Sequence, residues 1–343
     1  MNKPTQLELF SEVVEKKKIT PDQVAGYLTQ QRESEPEPQL TMLSFGGGQD
    51  SFAILYSLIH DASFRKKYAP NDFFVAMSDT GNEHPHTYKA IEEAKKLCEK
   101  HNIHFKFITK EMGYHTPGWQ DLISPMQRNE MILGASLSRQ PCTINLKINV
   151  MDKYMYEYMC NLYGFPIKPS KVPNKNNWEL YRQKFQTKAR VLIGFAKDEE
   201  TRVLKTINNG GIDYGAWKRK SIQYVYPLLE EGWNRQSAQD IISKYGPLMP
   251  PSNCMICFYQ SDQELVWLER NHPDLFNTWV ELERAKVEKW KKLGQPDNKN
   301  FGVYGVKLLP QKLADAKEKY GDWSDERLNE YKMSHGHCVK SAF

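Results

Sequence analysis

The stretch Ser44-Phe45-Gly46-Gly47-Gly48-Gln49-Asp50-Ser51 joins the apolar run Leu40-Thr41-Met42-Leu43 to Ser51-Phe52-Ala53-Ile54-Leu55-Tyr56-Ser57-Leu58-Ile59, whose pattern predicts a helix. A strand, a glycine turn and a helix start gather unpaired backbone N–H groups and the positive end of a helix dipole around one anion. The segment therefore reads as a phosphate cradle. Three consecutive glycines admit phosphates close to the main chain, and the hydroxyls of Ser44 and Ser51 can add donors. A Walker A loop needs Gly-Lys followed by Ser or Thr, and no lysine lies in this turn. The dinucleotide fingerprint needs a third glycine where Asp50 stands.

Working outward, Phe73-Phe74-Val75-Ala76-Met77 predicts a second buried strand, followed by Ser78-Asp79-Thr80-Gly81-Asn82-Glu83-His84-Pro85-His86-Thr87. A helical stretch over 88–101 leads to a third strand-like run, His104-Phe105-Lys106-Phe107-Ile108-Thr109. Strands alternating with helices predict an α/β fold with a Rossmann-like parallel sheet, whose ligands sit outside the carboxyl ends of the strands. Both motifs fall at that edge, which predicts that Asp79 lines the same pocket as the glycine loop. Replacing Gly47 by Val is expected to block the anion path and leave the fold intact.

The chain has 343 residues, a formal net charge of +5 and six cysteines. It shows no apolar stretch long enough to cross a membrane and no signal-peptide pattern at Met1-Asn2-Lys3-Pro4, so a cytoplasmic address without membrane attachment is expected. In reducing surroundings a Cys-x-x-Cys is read first as metal or redox chemistry. Cys98 and Cys160 fall on apolar helix faces and are expected in the core. Cys142, Cys254, Cys257 and Cys338 do not, and are predicted to converge; four thiolates can hold either a [4Fe–4S] cluster or a zinc ion, and the alternative is free thiols packed in the core. His335 and His337 are substitute ligands.

The glycine loop resembles the pyrophosphate-binding loop of the adenine nucleotide α-hydrolase superfamily, Ser-Gly-Gly-x-Asp-Ser, with Gly46 in place of the first serine and Gln49 in place of the usual lysine. Asp79-Thr80-Gly81 followed by Thr87 resembles the second motif of phosphoadenylyl sulfate (PAPS) reductases. Arg139-Gln140-Pro141-Cys142-Thr143 with Lys147, then Ile193-Gly194-Phe195-Ala196-Lys197-Asp198-Glu199-Glu200-Thr201-Arg202, Tyr226-Pro227-Leu228, Gly232-Trp233 and Cys254-Met255-Ile256-Cys257-Phe258 are similar to PAPS reductase-like proteins of bacteria and phages. The likeness runs from about residue 40 to the C-terminus, and one of the two cysteine positions of the family's tail is His335 here.

The resemblance implies a nucleotide site formed by Ser44, Gly46, Gly47, Gly48, Gln49, Asp50, Ser51, Asp79, Thr80, Gly81, Arg139, Lys147 and Arg202. It leaves two chemistries open. ATP with Mg²⁺ binds at the loop, a substrate oxygen attacks the α-phosphate and sulfur displaces the adenylated intermediate; or PAPS binds and the thiolate of Cys338 attacks its sulfur. The first is favoured by Asp50, since a carboxylate suits a Mg²⁺-bound triphosphate better than a bare sulfate. A cysteine desulfurase or a thiol reductant would be the corresponding partner. A nucleotide-binding regulatory protein without catalysis is the third reading, motivated by Gln49.

Residues 1–38 read as a helical accessory segment with helices over 7–17 and 20–31, residues 39–230 as the nucleotide-binding α/β domain, and residues 231–343 as a helical cysteine-containing region. The Pro-, Lys- and Asn-rich stretch 163–177 reads as an insertion loop. Between 151 and 190 stand eight Lys or Arg against three Asp or Glu, interleaved with Tyr163, Phe165, Trp178, Tyr181 and Phe185. Cations beside rings fit a nucleic-acid groove. Trp267, Trp279, Trp290 and Trp323 are expected in the core, and a final helix over 322–331 delivers Cys338.

Overall fold

The computed structural model of the chain describes residues 18–134, 141–167, 173–208 and 215–334. Apolar runs become five parallel strands, β1 (Leu40–Ser44), β2 (Asp72–Ser78), β3 (His104–Ile108), β4 (Ala189–Ile193) and β5 (Ile222–Val225), paired in the order β3-β2-β1-β4-β5. The sequence pattern predicts the first three, and the pairing adds β4 and β5. β1 lies in the middle and is covered on both faces, which is why its residues are apolar with little alternation. Side chains of a strand point alternately to opposite faces. Thus Leu43, Val75, Met77 and Leu192 face one core together with the helices Gln49–His60, Pro85–Lys100 and Arg235–Tyr245. Met42, Phe74, Ala76 and Val191 face a second core, with the helices Asn149–Tyr163 and Lys175–Phe185.

A third cluster lies in the C-terminal helices Asp262–Asn271, Pro273–Lys292, Leu309–Tyr320 and Asp325–Ser334, around the buried Leu265, Trp267 and Trp279. It takes in Leu122, Met126 and Leu146 from the middle of the chain, while Ala238 and Ile242 pack with the first core. Packing thus interleaves segments distant in sequence. The helix Val24–Glu33 docks through Val24 and Leu28 onto Val203 and Leu229, and Arg32 Nε meets the buried Glu230 carboxylate at 2.7 Å. The proposed helix over 7–17 lies outside the described residues.

Three expectations are corrected. Trp290 is 42% exposed, because it lies near the end of the long helix Pro273–Lys292, past the residues that reach the core. Trp178 and Tyr181 are 1% and 0% exposed, so the rings proposed to stack on bases fill the second core instead, and Tyr163, Phe165 and Phe185 pack against it. The stretch 163–177 is not loop throughout: a helix runs to Tyr163 and another starts at Lys175, where the buried Asn177 amide donates to Tyr156 Oη at 2.9 Å. Among the described residues no helix is long and apolar enough to cross a membrane.

Candidate functional site

The strand order reverses between β1 and β4, and a doubly wound sheet binds its ligands in the crevice outside the carboxyl ends at that point. The glycine loop leaves β1 there. Gly194 leaves β4 beside it, where an added Cβ would stand 3.1 Å from Ser51 N and 3.2 Å from Asp50 C. Gly48 caps the helix Gln49–His60 without a side-chain cap bond, and the Ser51 hydroxyl ties the loop by donating to Gly48 O at 2.9 Å while accepting from Gly46 N–H at 3.3 Å. The N–H groups of Gly47, Gly48, Asp50 and Ser51 have no acceptor among the described residues. The turn therefore holds unpaired backbone donors of the kind that bind anions at helix starts.

Gly47 has φ +73°, and a Cβ on it would stand 2.9 Å from Thr87 Cγ2. This corrects the expectation for Gly47→Val: the side chain would strain the turn and strike Thr87, so the damage extends to the fold, at about 1–2 kcal/mol for the left-handed backbone alone. Gln49, where a lysine is usual, is buried and does not reach for an anion. Its Oε1 accepts from Gln239 Nε2 at 2.6 Å.

Asp50 is the decisive side chain. Its Oδ1 is buried with no hydrogen-bond partner, at a cost usually met by a ligand or ion. Burial, then the charges of Glu199 and Asp198, push its carboxyl up to about 7, against the opposing pull of Arg235 and Arg202. Arg202 also donates to Glu199 Oε1 at 2.5 Å and lies over the Phe195 ring at 4.2 Å. Arg235 was not singled out in the sequence, yet its buried Nε has no acceptor among the described residues, and its backbone N–H reaches Asp198 at 3.4 Å. Only its position at the start of the helix Arg235–Tyr245, which packs on the glycine-loop helix, brings it here.

Asp79 follows β2 at the same edge, as parallel pairing of β1 and β2 requires. Its carboxylate shapes its own turn by accepting from Gly81 N–H at 2.8 Å and from Tyr88 Oη at 3.0 Å. Thr80 Oγ1 donates to the buried Glu83 at 2.9 Å. Lys147, in the π-helical turn Thr143–Ile148, stands 3.8 Å from the same Glu83 carboxylate. Arg139 and Cys338, with His335 and His337, lie outside the described residues.

The cysteine segment joins both motifs. Met255 N–H donates to Asn82 O at 2.7 Å, Ile256 N–H to Asn82 Oδ1 at 3.0 Å, and His84 N–H to Asn253 O at 3.3 Å. Cys254 Sγ lies 3.8 Å from Glu83 Oε1 and 3.6 Å from Thr80 Oγ1. Cys142 and Cys254 border the third core, whereas Cys98 and Cys160 are buried in the first and second. Cys98, Cys142, Cys160, Cys254 and Cys257 form no disulfide, and among the described residues no three His, Cys, Asp or Glu side chains stand together as metal ligands. On its other side the segment crosses the glycine loop, where Gln49 N–H donates to Pro250 O at 3.2 Å. Two hollows, of about 590 and 450 Å³, lie elsewhere; Glu230 lines the first, and Lys67 and Arg190 line the second.

No family model and no curated protein matches the chain. Among solved structures the chain is similar to the NH3-dependent NAD synthetase of Campylobacter jejuni in complex with the nitrate ion, at 13% identity over 91% of this chain and 97% of that one, with a TM-score of 0.24. At that score the likeness carries no argument about function.

Proposed function

We propose that the chain is a pyrophosphate-loop enzyme that binds ATP with Mg²⁺ at the Gly46 to Ser51 loop and adenylates an acceptor, releasing pyrophosphate. The observation that carries this reading is Asp50: a buried, unpartnered carboxylate oxygen on the same turn as four backbone N–H groups that lack acceptors among the described residues. Donors alone would suit any anion, but a carboxylate beside them repels a bare phosphate or sulfate and suits one that brings a cation. Asp50 would hold the Mg²⁺ that ATP brings, and that ion would supply charge neutralisation for the leaving pyrophosphate.

The loop N–H groups hold the β- and γ-phosphates, and the guanidinium groups of Arg202 and Arg235 add positive charge near Asp50. An acceptor oxygen forms a bond to the α-phosphorus, the bond from that phosphorus to the bridging oxygen breaks, and pyrophosphate departs with the electron pair. Any proton on the acceptor oxygen passes to water. Asp79, Thr80 and Gly81 at the neighbouring strand end are proposed to line the adenosine side. Sulfur transfer, in which a sulfide-level donor displaces AMP from the adenylated acceptor, is supported by the cysteine segment's contact with the Asn82-Glu83 turn. By the resemblance, Cys338 would act as nucleophile in the reductive alternative, and Cys142, Cys254, Cys257 and Cys338 would form a metal set. A nucleic acid as acceptor rests on the surplus of cations over 151–190 alone.

The test is direct. Purified protein is titrated with ATP in the presence of Mg²⁺ and with PAPS, and incubated with each. ATP binding, with AMP and pyrophosphate as products, is expected; sulfite released from PAPS would replace adenylation by reduction. A folded protein that binds neither nucleotide would overturn the assignment of the loop.

A further inference from the structure

The glycine loop is less open than its sequence suggests. A Cβ placed on Gly48 would stand 2.6 Å from Ser252 N and 2.8 Å from Ser252 Oγ, and one on Gly46 would stand 3.4 Å from that same Oγ. The close approach that these glycines permit is therefore taken up partly by Ser252, brought in from some 200 residues along the chain. Two features make this more than packing. Ser252 is only partly buried, and neither its N–H nor its hydroxyl has an acceptor among the described residues. Its neighbours are held on both sides: Pro250 O accepts from Gln49 N–H, and Asn253 O accepts from His84 N–H. Two unused donors thus lie on a strap tied at both neighbours, directly against the loop whose own N–H groups are unused.

We propose that Ser252 is a ligand of the anion held at the Gly46 to Ser51 loop, its hydroxyl and N–H completing the cradle from the side facing the cysteine turn. This rests on the reading of the loop as a phosphate site and adds a residue to it that no motif marks. A hydrogen bond from a neutral donor to a charged acceptor contributes enough to change affinity roughly ten- to hundredfold when removed.

The experiment measures the affinity of the wild-type chain and of Ser252→Ala for inorganic pyrophosphate, ATP with Mg²⁺, and AMP by calorimetry, with the melting temperature as control. Since the deleted hydroxyl has no protein partner, the variant is expected to melt as the wild type does. It should bind pyrophosphate and ATP roughly tenfold or more weakly while holding AMP unchanged, because AMP lacks the phosphates that the loop would cradle. Equal affinities in the two proteins would overturn the proposal and leave the loop assignment standing. An equal loss for AMP and ATP would reassign Ser252 to general packing and overturn it too. Absence of pyrophosphate and ATP binding in the folded wild type would defeat the loop assignment itself, and this proposal with it.

Discussion

Asp50 sets a cost in stability against the role proposed for it. Its carboxyl is raised to about 7 by burial and by Glu199 and Asp198, so protonated and ionised forms coexist in the free protein near neutral pH. The sign follows from linkage: a carboxyl whose folded pKa lies above its unfolded one stabilises fully below the unfolded value, and that contribution is lost as pH rises through about 7. Asp50→Asn should therefore match the wild type in melting temperature under acid conditions and exceed it above pH 7. It should also lose Mg²⁺-dependent ATP binding, as expected where a site carries strain for function. In the wild type, ATP affinity with Mg²⁺ should strengthen as pH rises through 7, with proton release on binding below it; melting curves and calorimetry across pH 5 to 9 check both. A stability difference independent of pH would show that Asp50 does not titrate in this range. The neighbouring residues teach a similar lesson: Gln49 stands in the motif but is engaged by Gln239, while Arg235 and Ser252 stand outside every motif and lie in the crevice.

At the scale of elements, the site depends on how the Asp79 to His84 turn grips the cysteine segment. Asn82 accepts twice, through its backbone oxygen from Met255 and through its side chain from Ile256, and it is buried. Asn82→Ala would leave the Ile256 N–H without an acceptor, a loss of about 1–3 kcal/mol. Urea denaturation should report that loss, and alkylation of Cys254 and Cys257 should speed up as the turn loosens. Unchanged alkylation rates in the folded variant would mean that the turn is held by other contacts. The same grip explains why Cys254 lies next to Glu83 and Thr80, a pairing that their separation of more than 170 residues hides from the sequence.

For the molecule as a whole, the C-terminal helices close onto the turn that follows the carboxyl end of β2 through one buried cluster. Lys332, on the helix Asp325–Ser334, reaches His84 Nδ1 at 2.7 Å and lies 2.9 Å from the centre of the Trp267 ring, while Asn329 accepts from Trp267 Nε1 at 2.6 Å. Burial pulls the Lys332 amine down to about 6. The unfolded chain then binds more protons between about 6 and the ordinary lysine range, so this group's contribution rises with pH across that window. Lys332→Met, which keeps the stem on Trp267 and removes the charge, should raise the melting temperature at pH 7, by an amount that shrinks towards pH 10. A difference that does not shrink would place the effect in packing alone. What the sequence determined by itself was local: the strand, glycine turn and helix start at 40–59, the second strand with its motif, the third strand, and the burial of Cys98 and Cys160, because hydrophobic period and glycine chemistry act over a few residues. Tertiary structure alone decided that Trp178 and Tyr181 are core, that Arg235 and Ser252 meet the glycine loop, and that Lys332 meets His84. Those contacts join segments tens to hundreds of residues apart, and no periodicity in a single chain records which faces the fold will press together.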